Sequence, residues 1–331
     1  MSVPLDHQLA VIVEAVRKSG APPPFSGTPQ EARERLRCAV MAARARSSLV
    51  GVGSTEDCLA EHAGARVPVR VYRPVGGAST MPTVVFFHGG GFVLGSVELM
   101  DDIARKLCHD VHAVIVSVDY RLSPEHPFPA AHDDALTATL WAIRNVKTLG
   151  GDASRVAVAG ESAGGNLAVS TAITLRDRGE KALAAQLLVV PGVDVARDTL
   201  SIEAYRSDFP MLTASDLRDI TRLYMGERIG QAAAFPPSPA SVRNLAGLPP
   251  TVMAVAGHDP LYEEGRAFAA RLVQAGVPVQ LHCFEDMFHP FLGFFEASES
   301  ARNANDQLCS AFAECIRMHP LSVDAVGNTK I

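Results

Sequence analysis

The chain has 331 residues, 47% apolar and 20% charged, which fits one large or two ordinary globular domains and excludes global disorder. Its 30 basic residues against 36 acidic ones leave a formal net charge of −6, and without a long basic run it makes a poor nucleic-acid binder. No apolar run reaches the length of a membrane span, and the stretch 9–13, flanked by Asp6 and Glu14 with no basic start, is unlike a secretory signal.

In chain order, Leu5, Leu9, Ile12, Val13 and Val16 recur at helical spacing, so residues 1–20 are predicted as an amphipathic helix that Ala21-Pro22-Pro23-Pro24 breaks. Residues 29–46 are predicted as a second helix. The basic concentration from Arg33 to Arg46, interleaved with Glu34 and small apolar residues, is expected to be a solvated face. Residues 57–63 and 66–72 flank Gly64-Ala65 and predict a hairpin. Continuous apolar runs follow at 83–87, 113–118, 156–159, 186–190, 251–256 and 279–284, as in strands buried on both faces of a parallel sheet. Helical stretches at 99–109, 131–146, 166–177 and 263–275 alternate with them, which predicts an open α/β sheet. The segment 195–240 departs from the alternation. With Phe209-Pro210, a helix-like stretch at 215–224 and Pro236-Pro237, it is expected as an insertion over the C-terminal edge of the sheet. The tail 320–331 is expected to fray. Cys38, Cys58, Cys108, Cys283, Cys309 and Cys315 lack metal-type spacing and are expected to be reduced thiols of a cytoplasmic protein.

The strongest chemical signal is Gly160-Glu161-Ser162-Ala163-Gly164-Gly165, set between a strand and a helix. This is a nucleophile elbow, whose glycines permit a tight turn that lifts the Ser162 hydroxyl to a helix N-terminus. The second is His88-Gly89-Gly90-Gly91-Phe92 after the strand 83–87. A serine attacking a carbonyl creates an oxyanion, and glycine-rich backbone can aim N–H groups at it. Gly90, Gly91 and Ala163 are the expected donors, and His88 is expected to position the loop. A serine needs a base, and the base an orienting acid, in the chain order serine, acid, histidine. Asp259 follows the strand 251–256, and Glu263 and Glu264 are expected to face solvent on the next helix. His289 is the one histidine in the loop after the last strand. His62, His109, His112, His132 and His282 sit in no motif and are expected to be ordinary packed or surface residues. Within the block 119–131, Arg121 and Glu125 are expected to pair and fix the loop.

Taken together and in this order, HGGGF, DYRLSPEHPFPAA, GESAGGNLA, DPLYEEG and HPF resemble the hormone-sensitive-lipase-like (family IV) bacterial esterases, an α/β-hydrolase group, from about Val67 to the end of the chain. The resemblance implies an α/β-hydrolase fold: a mostly parallel eight-stranded sheet with helices on both faces and a helical cap. Residues 1–50 would supply N-terminal cap helices. Residues 51–331 would form the catalytic domain, with a cap insertion at about 195–240. It further implies a triad of Ser162, Asp259 and His289, supported by His88, Gly89, Gly160, Glu161, Gly164 and Gly165, with no metal and no cofactor. Its substrate would be a small-molecule ester, without nucleic acid or stable membrane insertion, and a homodimer is the assembly considered. Three positions depart from the family pattern: Glu161 for aspartate, Ser123 for alanine and Pro290 for glycine. They bear on substrate shape and loop geometry, since the chemistry needs none of them.

Serine ester hydrolysis is therefore the leading expectation. Amidase, deacetylase or lactonase action on the same machinery is the alternative. A non-catalytic binding protein of the same fold is opposed by the presence of His289 with both partners.

Overall fold

The structure is a computed structural model, which describes residues 3–45, 47–76, 80–180, 183–205 and 209–321. Strands β1 (Ser54–His62) and β2 (Ala65–Arg73) form the predicted hairpin. His62 pairs with Ala65, so the turn residues are Ala63 and Gly64, both at positive φ (49° and 84°), one residue earlier than the expected Gly64-Ala65. Two positive φ values give the turn whose twist matches the strands, at no cost for Gly64 and some for Ala63. Six further strands follow: β3 (Met81–Phe87), β4 (Val114–Val118), β5 (Gly151–Glu161), β6 (Ala185–Val189), β7 (Thr251–His258) and β8 (Val279–Phe288). The sheet runs β1-β2-β4-β3-β5-β6-β7-β8 and is parallel from β4 onward, with only β1 and β2 antiparallel to their neighbours.

Side chains alternate along β3 and divide the core. Val85 and Phe87 join one apolar layer with α4 (Ala130–Arg144), α5 (Ala163–Asp177) and α8 (Tyr262–Gln274). Val84 and Phe86 join the other with α1 (His7–Ser19), α3 (Asp101–Val111) and α9 (Glu299–Met318). Helices therefore cover both faces, the arrangement that buries an all-parallel sheet. Helix α9 lies beyond the predicted elements, although its signal is in the chain. Ser298 caps it by accepting from the Ala301 N–H at 3.1 Å, and Ala301, Ala304, Leu308, Phe312 and Ile316 recur at helical spacing. Among the described residues no helix is long and apolar enough to cross a membrane.

The leader forms α1 and, capped reciprocally by Thr28 and Glu31, α2 (Pro29–Arg44). Leu9 and Val13 are buried in the second apolar layer, and the Asp6 N–H donates to the Asp286 carbonyl (2.9 Å) at the end of β8. Helix α2 buries Ala32 against Val93 and Leu94. Most of its basic side chains are not a solvated face; Arg37, exposed and paired with Glu34 on the same helix, is the exception. Arg33 and Arg44 donate to backbone carbonyls of residues 93, 98, 99 and 123, and Arg35 to that of Ser26, because those carbonyls lie in loops without strand partners. Arg46 lies outside the described residues, as does the tail from 322. The segment after β6 carries α6 (Thr199–Tyr205) and α7 (Ala214–Met225). Leu217 and Ile220 of α7 pack with Leu212, Leu261 and Phe25.

The predicted Arg121–Glu125 pair does not form. The Arg121 guanidinium and N–H meet Asp134 in α4 (2.8 Å each), while Glu125 faces outward and receives Arg33. Nor does Glu264 face solvent. It accepts from the Val193 and Asp194 N–H groups and pairs with the buried Arg197 at 2.7 Å, whereas Glu263 is exposed.

Candidate active site

Strand β5 runs directly into α5, and Ser162 joins them at φ 58° and ψ −118°. A non-glycine residue there is strained by about 1–3 kcal/mol and needs its surroundings to hold it. The surroundings are backbone. A Cβ on Gly160 would lie 2.1 Å from the Gly164 carbonyl oxygen, and one on Gly164 would lie 1.9 Å from that of Phe87. One on Gly165 would meet Pro191 at 2.8 Å. The Ser162 N–H donates to the Val189 carbonyl (2.9 Å), and its own carbonyl accepts from Asn166 and Gly192.

The loops after β7 and β8 meet this turn. His289 Nε2 is 2.8 Å from Ser162 Oγ, and His289 Nδ1 is 2.8 Å from Asp259 Oδ2. A carboxylate only accepts, so Nδ1 carries the proton and leaves Nε2 free to accept from the serine hydroxyl. The second Asp259 oxygen accepts from the Leu261 N–H at 2.8 Å, which fixes the carboxylate plane. Asp259 and His289 are buried, and Ser162 is only 9% exposed. Such a chain can move a proton from hydroxyl to imidazole and stabilise the resulting imidazolium.

Glu161 is also buried, and its carboxylate accepts from the N–H groups of Leu292 (3.0 Å) and Phe291. It thereby ties the serine turn to the histidine loop. Burial pushes the Glu161 carboxyl up to about 7. The two N–H groups and His289 oppose the rise, and Asp259 adds to it.

The glycine loop after β3 lies against the serine turn: a Cβ on Gly89 would be 3.3 Å from the Glu161 carbonyl and 3.6 Å from Ser162 Cβ. Gly90 and Gly91 adopt φ 118° and 61°, and the Gly90 carbonyl accepts from Val93 (3.1 Å) and Leu94 (2.8 Å). The Ala163 N–H is at the first position of α5, where no intrahelical acceptor exists. His88 is buried, donates from Nδ1 to the Gly89 carbonyl (2.7 Å) and stacks on Tyr120, whose hydroxyl donates to the His88 carbonyl. It braces the loop and makes no hydrogen bond to Ser162 or His289 among the described residues.

Of the histidines in no motif, His132 is the most buried in hydrogen bonds. Its Nε2 donates to Asn166 Oδ1 (3.1 Å) and its Nδ1 accepts from the Tyr224 hydroxyl (2.6 Å). Asn166 in turn donates to the Gly192 and Pro237 carbonyls. This chain joins α4, α5 and α7 and is a satisfied polar network; burial pushes His132 down to about 4. Its members are scattered through the chain, so no local spacing could have revealed it. The ring of His258 lies 3.1 Å from the Val3 carbonyl, and His282 stacks on Phe284. Among the described residues no group of three or more histidine, cysteine or acidic side chains is arranged to hold a metal ion.

Residues 84–293 match the family described as the α/β-hydrolase fold. The chain is 39% identical over 226 residues to the esterase LipI of Mycobacterium tuberculosis, covering 68% of this chain and 70% of that protein. It is 38% identical over 252 residues to the carboxylesterase NlhH of the same organism, covering 76% and 79% respectively. The solved esterase of Pyrobaculum calidifontis superposes with a TM-score of 0.87 at 35% identity, covering 94% of this chain and 99% of that one.

Proposed function

The chain belongs to the hormone-sensitive-lipase-like branch of the α/β-hydrolase family, and from that premise we propose that it is a serine carboxylesterase acting on small to medium acyl esters. The observation that carries the proposal is the pair of 2.8 Å bonds linking Ser162, His289 and Asp259. Ser162 Oγ attacks the ester carbonyl as His289 Nε2 takes its proton, and Asp259 holds the imidazole in the required tautomer. The N–H groups of Gly90, Gly91 and Ala163 receive the negative charge of the tetrahedral oxygen. His289 then protonates the leaving alcohol, and water repeats the sequence on the acyl-enzyme.

The proposal includes the covering segments. Residues 1–50 and about 195–240 act as a cap, supported by the cluster of Phe25, Leu212, Leu217, Ile220 and Leu261 beside the Asp259 loop. An apolar cluster there suits an acyl chain better than a charged one. Cytoplasmic residence is supported by the free thiols of all six cysteines; a homodimer is the assembly proposed, to be tested by sedimentation.

A panel of p-nitrophenyl esters of rising acyl length, run beside Ser162→Ala, tests the function. Wild-type turnover that Ser162→Ala retains would end the proposal. So would a serine-directed phosphonate that labels another serine by mass spectrometry. Matching amide and lactone substrates in the same panel decide between ester hydrolysis and its alternatives.

A further inference from the structure

We propose that Arg33, on the leader helix α2, is a positioning residue for the loop carrying the oxyanion donors. This rests on the esterase proposal. Gly90, Gly91 and Phe92 are three consecutive residues at positive φ (118°, 61° and 60°). Glycine adopts this backbone freely, but Phe92 does not. A turn of this kind persists only where its surroundings over-determine it.

The surroundings here combine the loop's own backbone bonds with side chains from distant parts of the chain. Arg33 Nε donates to the Val93 carbonyl at 2.8 Å, two residues beyond Gly91. Its Nη2 donates to the Ser123 carbonyl (2.8 Å) and to Glu125 Oε2 (2.7 Å), and its Nη1 to Glu125 Oε1 (2.8 Å). Gln30, one turn earlier on the same helix, also donates to Glu125 at 2.9 Å. The Ser123 N–H in turn donates to the Phe92 carbonyl at 2.8 Å. One guanidinium thus spans the glycine turn and the 121–125 loop: the Phe92 carbonyl is held by the Ser123 N–H, and the next carbonyl, that of Val93, by Arg33. The bidentate carboxylate fixes the plane of the guanidinium, so the Nε donor is aimed rather than merely nearby. From the other side, Tyr224 stacks on Phe92 with ring centroids 3.9 Å apart.

An oxyanion donor works only when it is aimed at the position the charged oxygen will take, and losing one donor costs roughly 10²–10³ in kcat. A turn that loses Arg33 is less completely held and presents its N–H groups less often. Ground-state binding of the acyl group does not depend on those donors, so kcat falls and KM does not.

The test compares wild type with Arg33→Met, which keeps the stem, and Arg33→Lys, which can reach one acceptor but not the fork. For each, kcat, KM, Tm and the inhibition constant of phenylboronic acid are measured; the boronate adduct places a tetrahedral anionic centre at the oxyanion position. The expected result is a roughly tenfold or larger fall in kcat for Arg33→Met with KM within about twofold, boronate affinity falling in parallel, and Arg33→Lys intermediate. A folded Arg33→Met with wild-type kcat and boronate affinity would overturn the proposal, as would a lower Tm with both unchanged. If Arg33→Met does not fold, Arg33→Lys decides by the same readouts. Failure of the esterase proposal would appear separately, as a wild type that hydrolyses no ester in the panel.

Discussion

Two strained turns face each other across the place where a substrate carbonyl would sit, and they are held by different means. The turn at Ser162 is held by backbone: glycines in van der Waals contact with carbonyls, and hydrogen bonds to Val189, Asn166 and Gly192. The turn at Gly90–Phe92 also has backbone holds, from Leu94 against Gly90 and from the Ser123 N–H on the Phe92 carbonyl, but it adds side chains of the covering helices, with Arg33 from α2 and Tyr224 and Ile220 from α7 pressing on it. Strain fixed by backbone needs no help from the covering segments. Strain fixed by side chains makes the oxyanion loop dependent on the helices above it, so the cover and the chemistry are coupled on one side of the site only.

The largest effects should come from the backbone-held side. Ser162→Ala should lower kcat by on the order of 10⁶-fold and Asp259→Asn by roughly 10⁴-fold, measured on a short p-nitrophenyl ester with circular dichroism confirming the fold. If Asp259→Asn kept near wild-type turnover while Asp286→Asn abolished it, Asp259 would not be the orienting acid. Gly164→Ala should prevent folding or cost more than about 4 kcal/mol, because the new Cβ meets a carbonyl at 1.9 Å and no side chain can move aside. A soluble Gly164→Ala with a wild-type melting curve would break the distinction between the two turns.

Glu161 spans the serine turn and the histidine loop, and its pH dependence sharpens the comparison. Its carboxyl is raised from 4.5 to about 7 in the folded chain. Between those values the folded state holds a proton that the unfolded state has released, so stability falls as pH rises through this window and is level above it. Relative to Glu161→Gln, wild type should lose about 3 kcal/mol between pH 4.5 and pH 8, read from urea midpoints at both pH values. A difference between the two proteins that did not change with pH would place Glu161 in a less buried setting.

The smallest effect belongs to the side-chain-held turn. Gly91→Ala meets Ile220 Cδ1 at 2.8 Å and must also hold φ 61°, the latter costing about 1–2 kcal/mol. Ile220 can be trimmed, so Gly91→Ala/Ile220→Ala should recover part of the lost Tm and kcat. A double variant no better than Gly91→Ala would mean that the backbone conformation alone sets the cost.

The predicted strands and most core helices are observed because their causes are local. The apolar runs of β3 to β7 bury on both faces, whereas the run 279–284, predicted alike, lies on the edge strand β8 and leaves Gln280, Leu281 and Cys283 exposed; glycine falls where a strand enters a helix. The placements of Ser162, His289 and Asp259 were legible for the same reason: each is the polar residue at the C-terminal end of its own strand, and a parallel sheet brings those ends to one edge. Helix α9 has a readable cap and period but lies beyond the predicted elements, because the strand–helix alternation that marks the others stops at β8.

Local patterns in the chain fix the order of strands and helices, the tight turn at Ser162 and the serine, acid and histidine ranged along one sheet edge. These follow from steric rules that act within a few residues. The partners of the long charged side chains are set instead by the packing of distant segments. Arg121 chose Asp134 over Glu125, Glu264 turned inward to Arg197, and Arg33 and Arg44 of α2 bound loop carbonyls instead of facing water. An arginine's reach covers any acceptor the fold leaves unsatisfied nearby, and which acceptors those are depends on loops far away in the chain, from residue 33 to residues 93 and 123.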